Sequence, residues 1–289
     1  MLDFIINPAS GGGKGAEAAK KISAILDKKG IKYTIHLTTR EKEATELAKS
    51  LSDIGAQTII AVGGDGTIHE TLNGIDAEKV NFGIIPCGTG NDFVTSAGIP
   101  CDVEKSLDVI LNGEPKATDY MVCGGVKGLN VIGTGIDVDV LKRCKKSKIL
   151  RGKLQYVISL IISLIKFKFY KFRIVKSDGS EEEREALIAA VGNGKRFGGG
   201  IPMCPEAEIG DGKLDFVIAG KLKKHKIPAA FMQLMKGNIL KQDFTYYEKV
   251  EAVKIVFDKP VTVQVDGELY DGLDFDLSIV KGGLKLFRP

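Results

Sequence analysis

Residues Ile59 to Asn73 read IIAVGGDGTIHETLN: a short apolar run, a glycine-rich turn holding one carboxylate, and the opening of a helix. An apolar run of this length, bounded by turn residues, suits a strand buried in a parallel sheet. Gly63, Gly64 and Gly66 remove side chains that would keep a polyphosphate from backbone N–H groups, and they open positive φ angles closed to other residues. Thr67 stands where a helix N-cap belongs, with Glu70 at capping-box spacing. Such a helix start offers free N–H donors and a positive dipole end to an anion. Asp65 breaks the pattern. A carboxylate beside bound phosphates is repelled unless a metal ion or a transferred proton joins them, so Asp65 implies magnesium or acid–base work. A plain strand-to-helix turn needs one or two glycines. Three glycines, an acid and a cap favour a ligand site instead, at the kind of junction where open α/β sheets bind ligands.

The same rhythm extends on both sides. Leu2 to Asn7 reads as a buried strand and runs into Pro8-Ala9-Ser10-Gly11-Gly12-Gly13-Lys14-Gly15, a second glycine loop. Ala18, Ala19, Ile22, Ile25 and Leu26 then recur at helical spacing up to Gly30, a C-terminal stop. Ile31 to Thr38 reads as extended, Glu43 to Ser52 as a helix, and Phe82 to Pro86 as another strand. That strand leads into Cys87-Gly88-Thr89-Gly90-Asn91-Asp92-Phe93, a third small-residue loop, and Val103 to Leu111 reads as a further helix. The order βαβαβ predicts a parallel sheet, with all three loops at its carboxyl edge. Gly11-x-Gly13-x-x-Ala16 fits a dinucleotide fingerprint only loosely, because Thr38-Thr39-Arg40 stands where a ribose-binding acid belongs; a Walker A loop fails at Pro8 and Gly15.

Beyond about Asp119 short alternating segments dominate, helices become rare and a β-rich domain is expected, with Ile227 to Gln242 as its one plausible helix. Lys142 to Lys153 holds seven basic residues in twelve and leads into Leu154 to Ile165, LQYVISLIISLI. That apolar run is too short to span a bilayer, so it packs in the core or docks to a membrane. Lys221 to Lys226 (KLKKHK) is a second basic patch.

Composition sets outer bounds. The chain has 289 residues, 44% of them hydrophobic, and a net charge of +4, which suits about two folded domains and gives no sign of nucleic acid as the main partner. Five scattered cysteines without a CxxC pair suggest reduced thiols in a cytosolic setting. No basic region precedes the first apolar stretch, so no secretory leader is expected.

Asn7-Pro8-Ala9-Ser10-Gly11, Gly63-Gly64-Asp65-Gly66-Thr67 and Gly88-Thr89-Gly90-Asn91-Asp92-Phe93, in that order, resemble the diacylglycerol kinase catalytic family. Within it the chain is similar to soluble bacterial-type lipid kinases, relatives of sphingosine and ceramide kinases. The resemblance continues through Gly133-Thr134-Gly135-Ile136-Asp137, Gly192-Asn193-Gly194, Asp211-Gly212-Lys213-Leu214-Asp215 and Asp266-Gly267-Glu268. It implies an N-terminal open parallel-sheet nucleotide domain of NAD-kinase or phosphofructokinase type over 1–119, with 281–289 returning to it, and a C-terminal β-sandwich over 120–280. It further implies ATP in the cleft between the domains, and Mg2+-dependent transfer of the γ-phosphoryl group to a lipid hydroxyl, such as that of diacylglycerol.

Carried over by resemblance, Asn7, Pro8, Ala9, Ser10, Gly11, Thr39, Gly63, Gly64, Asp65, Gly66, Thr67 and Thr89 contact nucleotide. Glu208, Asp211 and Lys213 match a structural magnesium site, where main-chain oxygens serve as ligands. Glu268 matches the general base; without the resemblance it reads as a solvated residue beside an Asp-Gly hairpin turn. His69 faces the nucleotide or caps its helix. The expected partner is lipid at the cytoplasmic face of an anionic membrane, with no nucleic acid and a homodimer open. An NAD-kinase-like enzyme, a soluble-polyol kinase and a nucleotide-binding regulator without turnover are the alternatives.

Overall fold

The computed structural model describes residues 1–146, 153–167, 169–176 and 178–289. The chain divides into two compact units, Met1–Tyr120 with Lys281–Pro289, and Met121–Val280.

The first unit alternates strand and helix: β1 (Leu2–Ile6), α1 (Ser10–Lys29), β2 (Tyr33–Leu37), α2 (Glu43–Asp53), β3 (Thr58–Gly63), α3 (Asp65–Gly74) and β4 (Asn81–Pro86). The short helices α4 (Asp92–Ser96) and α5 (Val103–Asn112) and the strand β5 (Pro115–Cys123) follow. β1 pairs with β2 and β3, and β3 with β4, all in parallel. Every residue of β3 is buried. That explains its unbroken apolar run, since helices cover both faces of such a sheet. Ala18, Ile22 and Leu26 turn one face of α1 into the core, and Gly30, at φ 65°, ends the helix by donating to the Asp27 and Leu26 carbonyls. α5 starts where the Asp102 carboxylate accepts from the N–H groups of Glu104 and Lys105.

The second unit is a β-sandwich with a helical layer. It holds β6 (Val126–Gly128), β7 (Val131–Gly135), α6 (Ile136–Lys146), α7 (Lys153–Lys166), β8 (Tyr170–Val175), β9 (Glu181–Gly192) and β10 (Leu214–Gly220). After them come α8 (Ile227–Met235), β11 (Thr245–Val250), β12 (Ala252–Val256), β13 (Thr262–Val265), β14 (Glu268–Asp271) and β15 (Phe275–Phe287). β9 is central, antiparallel to β7, β8 and β10. The last residues of β15 belong to the first unit, where Lys285 and Leu286 lie parallel to Asn81 and Phe82.

Period-two alternation in β10 feeds two cores. Leu214, Phe216 and Ile218 join Val263, Phe275 and Leu277 inside the sandwich. Val217 and Ala219 face Ile136, Val140, Leu160 and Met203 beneath the helices.

Two local expectations change. The stretch Ile227 to Gln242 does not form one helix: α8 stops at Met235, Gly237 takes φ 74°, and a separate 3-10 turn covers Ile239–Lys241. α6 was hidden by alternating Ile136, Val138 and Val140. Gly135 at φ 123° turns the chain there, and a Cβ would come within 2.5 Å of the Leu187 carbonyl oxygen, so only glycine closes β7 into this helix.

Candidate active site

The three loops after β1, β3 and β4 meet at the carboxyl edge of the parallel sheet, and the meeting is backbone against backbone. A Cβ on Gly88 would lie 2.6 Å from the Gly64 Cα. One on Gly11 would overlap the Cys87 carbonyl oxygen, and one on Gly90 the Asp65 carboxylate. Hydrogen bonds close the same cluster. Gly64 N–H donates to Ser10 Oγ at 3.3 Å, and Asn91 N–H donates to Asp65 Oδ2 at 3.2 Å. Asn91 Nδ2 donates to the Gly88 carbonyl, while Asn7 Oδ1 accepts from Ala9 N–H and shapes the first loop.

The glycines earn their places differently from expectation. None of Gly63, Gly64 and Gly66 uses a positive φ; at Gly63 close approach excludes a side chain, the neighbour being Thr67 itself, whereas a Cβ on Gly64 would meet Gly88 only at ordinary contact distance. Positive φ belongs to Gly11, Gly12 and Gly13, which keep the opening of α1 from being helical. Thr67 is not the N-cap. α3 begins at Asp65 with Gly64 as its cap, which puts Thr67 third in its first turn, and Glu70 accepts from Lys42 N–H rather than completing a capping box. The Asp65 carboxylate therefore sits in the first turn, where the helix dipole favours it. His69, in the second turn, is buried with its Nε2 3.4 Å from Asn73 Nδ2, so it does not cap the helix.

Other expected nucleotide contacts lie on the same edge. Pro8, Ala9 and Ser10 belong to the first loop and Gly66 to the first turn of α3, while Thr89 is exposed on the third loop. Thr39, after β2, donates both its N–H and its hydroxyl to Glu43. These two bonds and one from Arg40 N–H hold the Glu43 carboxyl below its ordinary range.

In the second unit, Glu268 opens β14 across a two-residue turn of Asp266 (φ 51°) and Gly267 (φ 90°), the mirror-image turn that Asp-Gly favours. The turn is more than a solvated hairpin. Asp266 accepts from the N–H groups of Leu129, Asn130 and Val131 at 2.6–3.1 Å, and Gly267 N–H donates to Gln264 Oε1. The Glu268 carboxylate, partly exposed, pairs with Lys145 Nζ at 2.9 Å.

Around Asp211 a cation is already supplied by the chain. Lys249 Nζ lies 2.7 Å from Asp211 Oδ2, 3.4 Å from the Glu206 carbonyl oxygen and 3.7 Å from Asp215 Oδ2. Asp211 Oδ1 accepts from Lys213 N–H, and Lys213 Nζ pairs with Glu251 at 2.6 Å. Glu208 is exposed. As arranged, the donors do not fit a divalent ion, because the carboxylate that would bind it holds an ammonium. Lys249, far along the chain from this loop, carries no local sequence signal for that role. Burial pushes the Asp215 carboxyl up, opposed by its Tyr247 hydrogen bond and by Lys249.

The fold and its loops are those of a known group. Residues 2–123 match the diacylglycerol kinase catalytic domain, and residues 130–288 match the YegS C-terminal NAD kinase beta sandwich-like domain. The chain belongs to the diacylglycerol kinase family. Over 99% of its length it is 27% identical to a diacylglycerol kinase of Mycobacterium tuberculosis, of which it covers 94%. It is 30% identical to a Cronobacter sakazakii protein named "Probable lipid kinase YegS-like", over 92% of this chain and 89% of that one. A crystal structure of a diacylglycerol kinase from Bacillus anthracis matches with a TM-score of 0.79 at 25% identity, covering 100% of this chain and 96% of that one.

One further feature of this family member lies wholly in the second unit. An apolar cavity of about 60 Å³ is bounded by α6, α7, β9 and α8, with Leu160, Leu164, Ile188, Ala230, Phe231 and Leu234 on its walls. Among the described residues, the only ionisable side chain lining it is Asp137. Burial pushes that carboxyl up to about 7 against the pull of nearby N–H donors. Among the described residues no helix is long and apolar enough to cross a membrane.

Proposed function

We propose that the protein transfers the γ-phosphoryl group of ATP to the hydroxyl of a membrane lipid of the diacylglycerol class, at the cytoplasmic surface of the membrane. The observation that carries the lipid acceptor is the apolar lining of the small cavity in the second unit, which suits hydrocarbon and offers a soluble polyol almost nothing to bond. Membership of a kinase family supports a nucleotide donor.

Phosphoryl transfer depends on positioning and charge neutralisation more than on covalent help from protein. In the first loop the missing side chains of Gly12 and Gly13 face open space, and there backbone N–H groups, with the dipole of α3, suit phosphate oxygens. Asp65, a hard carboxylate beside this cradle, fits Mg2+, which when bound neutralises phosphate charge. Glu268 accepts the proton that the lipid hydroxyl gives up on attacking phosphorus, and Lys145 orients its carboxylate.

Incubation with labelled ATP, Mg2+ and a total lipid extract tests the reading. A single labelled lipid class is expected, and label on NAD or on a water-soluble polyol alone would reject it. Glu268→Gln is expected to lower kcat by about 10²–10⁴-fold with the fold retained, since the side chain is partly exposed; an unchanged rate rejects Glu268 as base. Asp65→Asn is expected to raise the Mg2+ concentration needed for half-maximal rate.

A further inference from the structure

α7 shows apolar side chains on two sides, Leu160 inward and Ile161 and Ile162 outward. Its buried residues include Ser159 and Ser163, tied to α6 through Cys144 and Arg143, whereas Ile161 and Ile162 are 46% and 39% exposed. α8 shows the same excess. None of its nine residues, IPAAFMQLM, is fully buried, and Met232 and Met235 are 57% and 45% exposed. Isolated exposed apolar residues need no explanation, but two helices that both show large aliphatic side chains outward form a surface that water does not favour.

Charge is partitioned in the same way. Residues 141–177, which contain α7, hold twelve Lys and Arg and no Asp or Glu, and residues 216–242, which contain α8, hold six and none. The whole chain is only +4. Several of these cations are paired, Lys142, Lys145 and Lys221 among them. Lys223, Lys226, Lys236 and Lys241, on either side of α8, are exposed and make no ion pair among the described residues. Lys148 and Arg151 lie outside the described residues.

We propose, building on the lipid-kinase reading for what enters the cavity, that the outer faces of α7 and α8 seat the protein on an anionic bilayer. Ile161, Ile162, Met232 and Met235 enter the boundary of the acyl region while the flanking lysines meet the headgroups. A second copy of this chain fits the surface poorly, because a two-fold contact would set acid-free basic segments against each other. A bilayer supplies both missing complements, negative charge and hydrocarbon. The inner faces of the same helices line the aliphatic cavity, through Leu160 and Leu164 on α7 and Phe231 and Leu234 on α8, so an acyl chain leaving the bilayer at this face meets apolar wall at once.

Vesicle co-sedimentation of the full chain tests this, using phosphatidylcholine alone or mixed with phosphatidylglycerol. Binding is expected only with the anionic lipid, falling as salt rises. The double variant Ile161→Ser with Ile162→Ser, and separately Met232→Ser with Met235→Ser, are each expected to weaken it by on the order of tenfold. Their melting temperatures should not change, because these side chains are exposed. Equal binding by wild type and both variants, or no binding by wild type, overturns the proposal. So does a concentration-dependent dimer that either variant dissolves. Vesicle binding without any lipid phosphorylation would sink the kinase reading and leave the docking surface standing; phosphorylation of detergent-dispersed lipid without vesicle binding would do the reverse.

Discussion

The loop cluster of the first unit and the helical layer of the second solve opposite problems. At the cluster, side chains are deleted so that backbone can meet backbone: Gly64 against Gly88, Gly11 against the Cys87 carbonyl. In the helical layer, large aliphatic side chains fill more surface than the core takes in, lining a cavity inward and standing exposed outward. The contrast teaches that glycine marks a site by what it admits, while a surplus of isoleucine and methionine marks one by what it lacks.

The strongest way to break the comparison is through the charge in the cavity wall. Asp137 has a carboxyl raised from 3.8 to about 7 by burial. A group raised on folding contributes stability that is full below its unfolded pKa and lost as pH rises through the folded one. Melting temperature is therefore expected to fall between about pH 4 and pH 7, by an amount equivalent to at most about 4 kcal/mol. Asp137→Asn should flatten that slope; a parallel slope in the variant would show that the carboxyl is not held in an apolar wall.

Next comes the glycine cluster. Gly88→Ala forces a Cβ against the Gly64 backbone and is expected to cost about 1–3 kcal/mol and most of the kinase rate, measured by thermal melting and turnover. Gly12→Ala sharpens the point. It meets open space but holds φ 72°, so about 1 kcal/mol of backbone strain is expected without a clash.

Smaller again, Lys249→Met removes the ammonium beside Asp211 and Asp215. With Lys249 and Asp211 partly solvated, less than about 1 kcal/mol is expected. The smallest effect belongs to chelation: EDTA should leave the melting temperature of the wild type unchanged, and a clear drop would mean that a divalent ion displaces Lys249 after all.

Much of the first unit was legible because its signals are local. Runs such as IIAVG and helices such as Ala16 to Lys29 announce themselves within a few residues, and short connections leave a parallel sheet little freedom. The loops that carry Asp65 and Asn91 were legible as loops. Their mutual contacts were not, since the Gly64–Gly88 approach joins residues 24 apart and leaves no periodic trace. The capping pattern at Thr67 misled for a related reason: an anion-binding helix start can begin on a bare glycine, and Asp65 supplied the acid of the first turn. In α7 the apolar run LQYVISLIISLI gave no face, and only packing against α6 sent Ser159 and Ser163 in and Ile161 and Ile162 out.

From residue order alone came the sheet's polarity, the glycine loops at its carboxyl edge and the carboxylates worth testing, because each rests on forces acting over one or two turns of chain. Tertiary structure alone decided that Lys249 meets Asp211, that Asp266 pins the loop before β7, and which side of α7 faces water. Those contacts join residues far apart in the chain, where burial and packing, not neighbouring residues, select the partner.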